Sequence, residues 1–452
     1  MKKLGKWLFM LLMSVALCMG LCACGEQTVI EDEYEEGDTM EIVLWATYGA
    51  RGQAYLDRLV KEFNSSQEDY FVQVFKNGDA GEIRTKLEAS DKKNYPSLFC
   101  GVPLSIGSYA GVEYIKPMHE LIEADEEDWT SGVYKNVLQS YCDSDGNLLG
   151  WPLGVSCSGY FVNVDALKQA GYSVEDMTSY EKIAEAATAI KNKNLCKYGI
   201  IFHGNGVEMV DMMTIQGLSY FNNNNGFSKP ATKVVLEEGD NLKGMQKVLS
   251  LTAQLYKNKV AAPYEMDLST EGFTLFDSGE AGFVYATNSW THYVTYGKPE
   301  FEYAFIPSVG IDDSAKYAGS VISEGTGLFV ANTGNEREMQ GAYEFIKFLA
   351  QPENQAQWCT TLGYVPYTDE AVATEAWQSW MAETLPSAQG VIDRIKNTST
   401  EMRLPYAEFS VNGVGKKMFA LLSSDASKDP NQVIENSLFT IKETMELWKA
   451  RR

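Results

Sequence analysis

The side chains that could do chemistry in this chain are aromatic and hydroxylated rather than nucleophilic or metal-binding. Three histidines, His119, His203 and His292, stand far apart in sequence and make no His-rich metal set. No G-x-S-x-G elbow is present, and Gly107-Ser108 in SIGSYAG lacks the strand-to-elbow spacing that Ser-His-Asp chemistry needs. Phosphate-cradling and dinucleotide glycine loops are missing too; Gly204-Asn205-Gly206 reads as a turn. Asp143 to Asn147 (DSDGN) begins like a calcium loop but lacks the later ligands and the closing Glu, so it reads as a hairpin turn. Aromatic residues, at 12% of the chain, are the richer resource. Trp45 and Tyr48 follow one apolar run, and Asn288 and Trp290 close another (YATNSW). Aromatic planes cover the C–H faces of sugar rings, while Asn, Ser and Glu side chains meet hydroxyls. These four residues are therefore candidate contacts for a polar solute, at strand ends where α/β sheets present their ligands.

The elements that must position them alternate. Met40 to Trp45 is a buried-strand run. Tyr55, Leu56, Leu59, Val60 and Phe63 follow at helical spacing, then Phe71 to Phe75 as a strand, Ile83 to Leu87 as a helix and Ser97 to Val102 as a strand. This alternation predicts βαβ units and mostly parallel sheets flanked by helices, an α/β fold. Further strands are expected at Leu148 to Leu153, Tyr160 to Asn163 and Tyr303 to Pro307. Helices are expected at Tyr180 to Lys191, Leu242 to Lys257 and Glu336 to Ala350, with a largely helical C-terminal third. The 452 residues suggest two or three domains, yet no Gly/Pro/Ser linker divides them, so ordered crossings must join the parts.

The N-terminus reads as an address. Lys2, Lys3 and Lys6 precede the apolar run Trp7 to Leu21, which falls short of the ~20 residues a membrane span needs. Leu21-Cys22-Ala23-Cys24 is similar to a bacterial lipobox, which places cleavage before Cys24 and the lipid, a palmitate-bearing anchor, on it. The acid-rich stretch from Glu26 to Asp38 reads as a solvated tether. Signal (1–23), tether (24–39) and body then follow in order. With 38 basic and 61 acidic residues the net charge is −23, and no basic stripe exists to meet nucleic acid. Beyond the leader remain Cys100, Cys142, Cys157, Cys196 and Cys359, an odd set without C-x-x-C spacing and hence no disulfide framework.

From about Met40 to the C-terminus the body resembles the extracellular solute-binding proteins of bacterial ABC importers, the group that includes maltose-binding and glycerol-3-phosphate-binding proteins. Five segments carry the resemblance in order: GNLLGWP followed by YFVNVDALKQAGY, TSYEKIAEAATAIK, GFTLFDSGEAGFVYATNSW, and AYEFIKFLAQPENQAQWCTTLGYVP. The resemblance implies a two-lobed fold of the maltose-binding-protein kind, with a ligand cleft between the lobes. It implies lobe one at 40–155 plus 307–372, lobe two at 156–306 plus 373–452, and crossings near Ser156, Pro307 and Thr368. NNNNGFSKPATKVVLEE, and GYVP followed by EMRL, look most like the glycerol-3-phosphate group, whose ligand contacts fall here on Ser156, Gly325, Tyr364 and Arg403. Glu324, beside Gly325, suits a hydroxyl partner. Other contacts of that group are not kept: its Glu falls on Ser105, its Tyr has no match near Asp79 to Gly81, and its inter-lobe Trp pair falls near His203 and Gly206.

The implied protein is no enzyme and needs no cofactor or metal. It is a monomeric, lipid-anchored binding subunit on the outer face of the cell membrane, serving the transmembrane subunits of an ABC permease. One arginine against one glutamate leaves no surplus charge for a phosphate, so the expected ligand is a neutral mono- to oligosaccharide. Glycerol-3-phosphate or a glycerophosphodiester is the alternative. A secreted hydrolase and a chemosensory or adhesion lipoprotein remain as readings of another class.

Overall fold

The structure is a computed structural model and describes residues 39–450 apart from 204–205, 227–228, 230, 265, 318–323 and 399–414. Its frame consists of β1 (Met40–Ala46), β2 (Tyr70–Lys76), β3 (Leu98–Gly101), β4 (Ile115–Lys116), β5 (Trp151–Ser156), β6 (Ser158–Asn163), β7 (Tyr198–Ile201), β8 (Ala281–Thr287), β9 (Tyr303–Pro307) and β10 (Glu324–Ala331). They form two sheets, one six-stranded (β2-β1-β3-β10-β4, with β5 also on β10) and one four-stranded (β7-β8-β6-β9). The chain passes from the first sheet to the second within Ser156 to Ser158, and re-enters the first between Pro307 and Glu324.

The expected α/β architecture is present, whereas the sheets are mixed rather than mostly parallel. β1 pairs β2 and β3 in parallel, as βαβ units require. β10, however, runs antiparallel to β3, β4 and β5, and β6 runs antiparallel to β8 and β9. The difference arises because β10 reaches the first sheet from the second, not through a helical crossover.

Local sequence explains the elements. Along β1, Ile42, Leu44 and Ala46 are buried, while Val43 and Trp45 on the other face are half-buried. The helix Ala80–Ala89 starts at a capping box in which Asp79 accepts from the Glu82 amide and Glu82 accepts from the Asp79 amide. The helix Glu336–Leu349 buries Ala342, Phe345, Ile346 and Leu349, the face its periodicity predicts. DSDGN forms the expected turn: Cys142 and Leu148 pair across it, and Asp143 Oδ1 accepts from the amides of Asp145 and Asn147.

The second sheet is covered on both faces, which is why its strands read as continuous apolar runs. Phe161, Val284 and Phe305 belong to the core that continues under the first sheet. Tyr160, Phe283, Tyr285 and Ile306 belong to the second core, with the helices Tyr180–Asn192, Val207–Gln216 and Gly239–Lys257. All five body cysteines are buried, and none is disulfide-bonded.

Candidate functional site

The candidate residues converge where the two sheets exchange strands. At the end of β5, Ser156 pairs with Glu324, and Val155 pairs with Gly325. Gly325 holds φ +139°, and a Cβ there would lie 2.4 Å from the Gly154 carbonyl oxygen, so only glycine lets β10 approach β5 this closely. Ser156 is fully buried, and its hydroxyl has no hydrogen-bond partner among the described residues.

Tyr364 lies over this strand pair. Its ring packs on Gly154, where a Cβ would come within 2.5 Å of it, and its hydroxyl is 3.3 Å from that of Thr326 on β10. The helix Pro352–Leu362 delivers it: proline opens the helix, and Gly363 closes it in a left-handed conformation, φ 76°. Tyr48 is nearby but is mostly core. It is 7% exposed, its ring meets Trp358 edge-on at 4.8 Å, and burial, then Cys100 and Tyr364, push its phenol well above the usual range. Trp45 is half-buried and packs against the first core.

Asn288 takes a different part from the one its sequence position suggests. It is fully buried; its Oδ1 accepts from the Cys157 amide at 2.8 Å, and its Nδ2 donates to the Gly363 carbonyl at 2.8 Å. Both ends of the amide are engaged by backbone, so Asn288 clamps the crossing to the turn that carries Tyr364.

Trp290 is half-buried, with its plane held by other rings. Phe273 stacks on it at 5.5 Å and 18°, Tyr293 at 4.9 Å and 27°, and His203 meets it edge-on at 5.3 Å. Burial depresses the His203 pKa to about 4, so the imidazole beside Trp290 is neutral at ordinary pH. This wall is aromatic and uncharged.

Of the nine proposed contacts, the structure thus gathers Tyr48, Ser156, Asn288, Trp290, Gly325 and Tyr364 around one crossing. Trp45 stays at the end of β1, and Glu324 is placed by its backbone at the start of β10. Arg403 and Cys24 lie outside the described residues. The sequence reading missed Thr326, the Phe273–Trp290–Tyr293 stack and Arg394. Arg394, on the helix Ala388–Lys396, is half-buried near Cys157, and desolvation lowers its pKa. Among the described residues no cluster of three or more His, Cys, Asp or Glu could hold a metal ion.

Comparison with known proteins agrees with this architecture. A family model described as bacterial extracellular solute-binding protein matches residues 58–384. The sn-glycerol-3-phosphate-binding periplasmic protein UgpB of Escherichia coli K12 is 25% identical over 363 residues, covering 79% of this chain and 78% of that protein. Among solved structures, the sugar-binding protein MalE of Xanthomonas citri superposes with a TM-score of 0.73 at 16% identity, over 91% of this chain and 98% of that one. UgpB of Mycobacterium tuberculosis in complex with glycerophosphocholine superposes with a TM-score of 0.69 at 17% identity, over 92% and 99%.

Proposed function

The chain belongs to the bacterial extracellular solute-binding proteins, and from that premise we propose that it is the solute-capturing subunit of an ABC importer, held to the outer face of the cell membrane by a lipid on Cys24. Its ligand is a neutral carbohydrate, from a mono- to an oligosaccharide. The lobes comprise 40–155 plus 307–372 and 156–306 plus 373–452. They close on the solute, and the closed monomer is the form that the permease reads.

The observation that carries the sugar reading is the aromatic wall. Trp290, backed by Phe273 and Tyr293, is tied through Asn288 and Gly363 to Tyr364, and a neutral His203 completes the edge. Such a surface suits the C–H face of a sugar ring and gives little to a phosphate. The orphaned Ser156 hydroxyl supplies a polar partner beside it. Arg403 and Glu324 are proposed as one cation and one carboxylate on their sequence position alone, and Arg394 is a further cation near Cys157.

The alternative ligand, glycerol-3-phosphate or a glycerophosphodiester, draws on the UgpB relatives and on Arg394 as a second cation near the crossing. A thermal-shift screen separates the two. A ligand at 100 times its dissociation constant stabilises by roughly 2.7 kcal/mol. The proposal expects that shift from a sugar; a shift from glycerol-3-phosphate alone supports the alternative.

For the anchor, the support is the lipobox-like sequence at Cys24. No described helix is long and apolar enough to cross a membrane.

A further inference from the structure

Gly363, the residue before Tyr364, and Thr291, the residue after Trp290, also line a pocket of about 350 Å3. This is within the ~300–1,000 Å3 range of small-molecule sites. Four chain segments meet there. Arg51 comes from the first turn of the helix Ala50–Ser66, and Thr291, His292 and Thr295 from the helix Thr291–Gly297. Thr360 and Thr361 come from the end of the helix Pro352–Leu362, and Trp380 from the helix Glu375–Thr384. Neither the sequence reading nor the proposed cleft uses any of these residues.

The hydrogen bonds already made decide what the pocket can accept. Thr291 donates its hydroxyl proton to the Asn288 carbonyl at 2.6 Å, and Thr295 donates to the His292 carbonyl at 3.1 Å. Thr360 and Thr361 both donate to the Gln357 carbonyl, at 3.0 and 2.8 Å. Thr291 is fully buried and only walls the pocket, whereas the half-buried Thr295, Thr360 and Thr361 turn oxygen lone pairs to it, not protons. His292 Nδ1 lies 2.7 Å from the Ser289 carbonyl oxygen, which places the proton on Nδ1 and the lone pair on Nε2. Burial, helped by Arg51, lowers the His292 pKa and keeps the ring neutral. Four acceptors, the hydroxyls of Thr295, Thr360 and Thr361 and His292 Nε2, thus stand against one donor fork, Arg51, with which no described carboxylate pairs. Trp380, stacked on Trp377 at 4.9 Å and 29°, adds an aromatic plane.

We infer that this pocket is an accessory subsite for a neutral polyhydroxyl unit, a second saccharide ring beyond the one held at Trp290 and Tyr364. A sugar unit brings several O–H donors to the threonine and imidazole acceptors, acceptor oxygens to Arg51 and a C–H face to Trp380. An anion brings acceptors only. It would satisfy Arg51 but would face lone pairs on every other side unless the threonines gave up their helix bonds. Continuity supports the assignment, since Trp290 and Tyr364 adjoin Thr291 and Gly363 in sequence, so the same two segments serve both places.

The inference rests on the carbohydrate reading, and the test separates them. Calorimetry is run with matched mono- and trisaccharides of the gluco, galacto, manno and xylo series on the full chain and on two variants, Arg51→Ala and Thr295→Val combined with Thr361→Val. Thermal unfolding confirms that each variant is folded. In the series that binds, the trisaccharide is expected at least tenfold tighter than the monosaccharide. Both variants should lose that gain and hold the monosaccharide as before. Equal affinity for the two lengths, or variants that weaken both alike, overturns the subsite alone. No binding in any series overturns the carbohydrate reading and the subsite with it.

Discussion

Replacing Trp290 with alanine should weaken ligand binding at least tenfold, and the structure separates that effect from simple loss of stability. A sugar face that covers about 60 Å2 of the indole gains roughly 1.5 kcal/mol at ~25 cal/mol/Å2. Each 1.4 kcal/mol is about a factor of ten in affinity. The same indole also stacks on Phe273 and Tyr293. Losing two such pairs removes about 1–3 kcal/mol of stability. Trp290→Phe keeps a ring in the stack while shrinking the surface offered to the solute. Calorimetry at a temperature where both variants are fully folded, with thermal unfolding measured in parallel, gives the two quantities independently. The expected order of affinity is wild type, then Trp290→Phe, then Trp290→Ala. If Trp290→Ala melts earlier yet binds within twofold of wild type, the ring only braces Phe273 and Tyr293, and the stacking argument fails.

Other outcomes follow from the same geometry. Tyr364→Ala should also weaken binding at least tenfold, measured by the same calorimetry. Asn288→Ala leaves the buried Cys157 amide and Gly363 carbonyl without their Asn288 bonds, at ~1–3 kcal/mol each, so denaturant unfolding should show a loss of about 2–6 kcal/mol. Burial raises the Asp277 carboxyl to about 7. The folded state therefore holds a proton that the unfolded chain releases near 3.9, and stability should be full below that value and fall as pH rises to 7. Asp277→Asn should flatten this decline in thermal unfolding between pH 4 and 7, and an unchanged slope would assign the dependence to other groups. Cys24→Ala should release the protein from the membrane fraction on cell fractionation with its fold and binding intact; a mutant that still sediments with membranes contradicts the anchor.

Much of the frame was legible because burial writes itself as period. β1 carries a short apolar run, β2 alternates, and the helices Ala50–Ser66, Gly239–Lys257 and Glu336–Leu349 carry helical spacing over enough residues to be read directly. The antiparallel entry of β10 was not legible: a strand's direction depends on where its chain comes from, and β10 comes from the other sheet. Trp290 and Tyr364 could be picked out because each sits in a segment with a recognisable resemblance. The part played by Asn288 could not, since its two partners lie 131 and 75 residues away and meet it only after both sheets have formed. Thr326 is likewise invisible in sequence, because only the register of β10 against β5 sets it beside Tyr364. The threonines of the accessory pocket look like ordinary helix residues, and their acceptor character appears only once their protons are traced to the His292 and Gln357 carbonyls.

The central claim is that two lobes close on a neutral sugar against an aromatic wall. Its most direct test is isothermal calorimetry of the purified protein with a panel of sugars and with glycerol-3-phosphate, each at low and at high salt. Exposed charges are screened beyond ~10 Å in ordinary salt, so a neutral ligand should be almost indifferent to it, while a charge-assisted phosphate contact at the protein surface should weaken. The account predicts tight binding of at least one sugar, with an affinity that barely changes between the two salts. Tight binding of glycerol-3-phosphate that fades as salt is added, with no heat from any sugar, would contradict it.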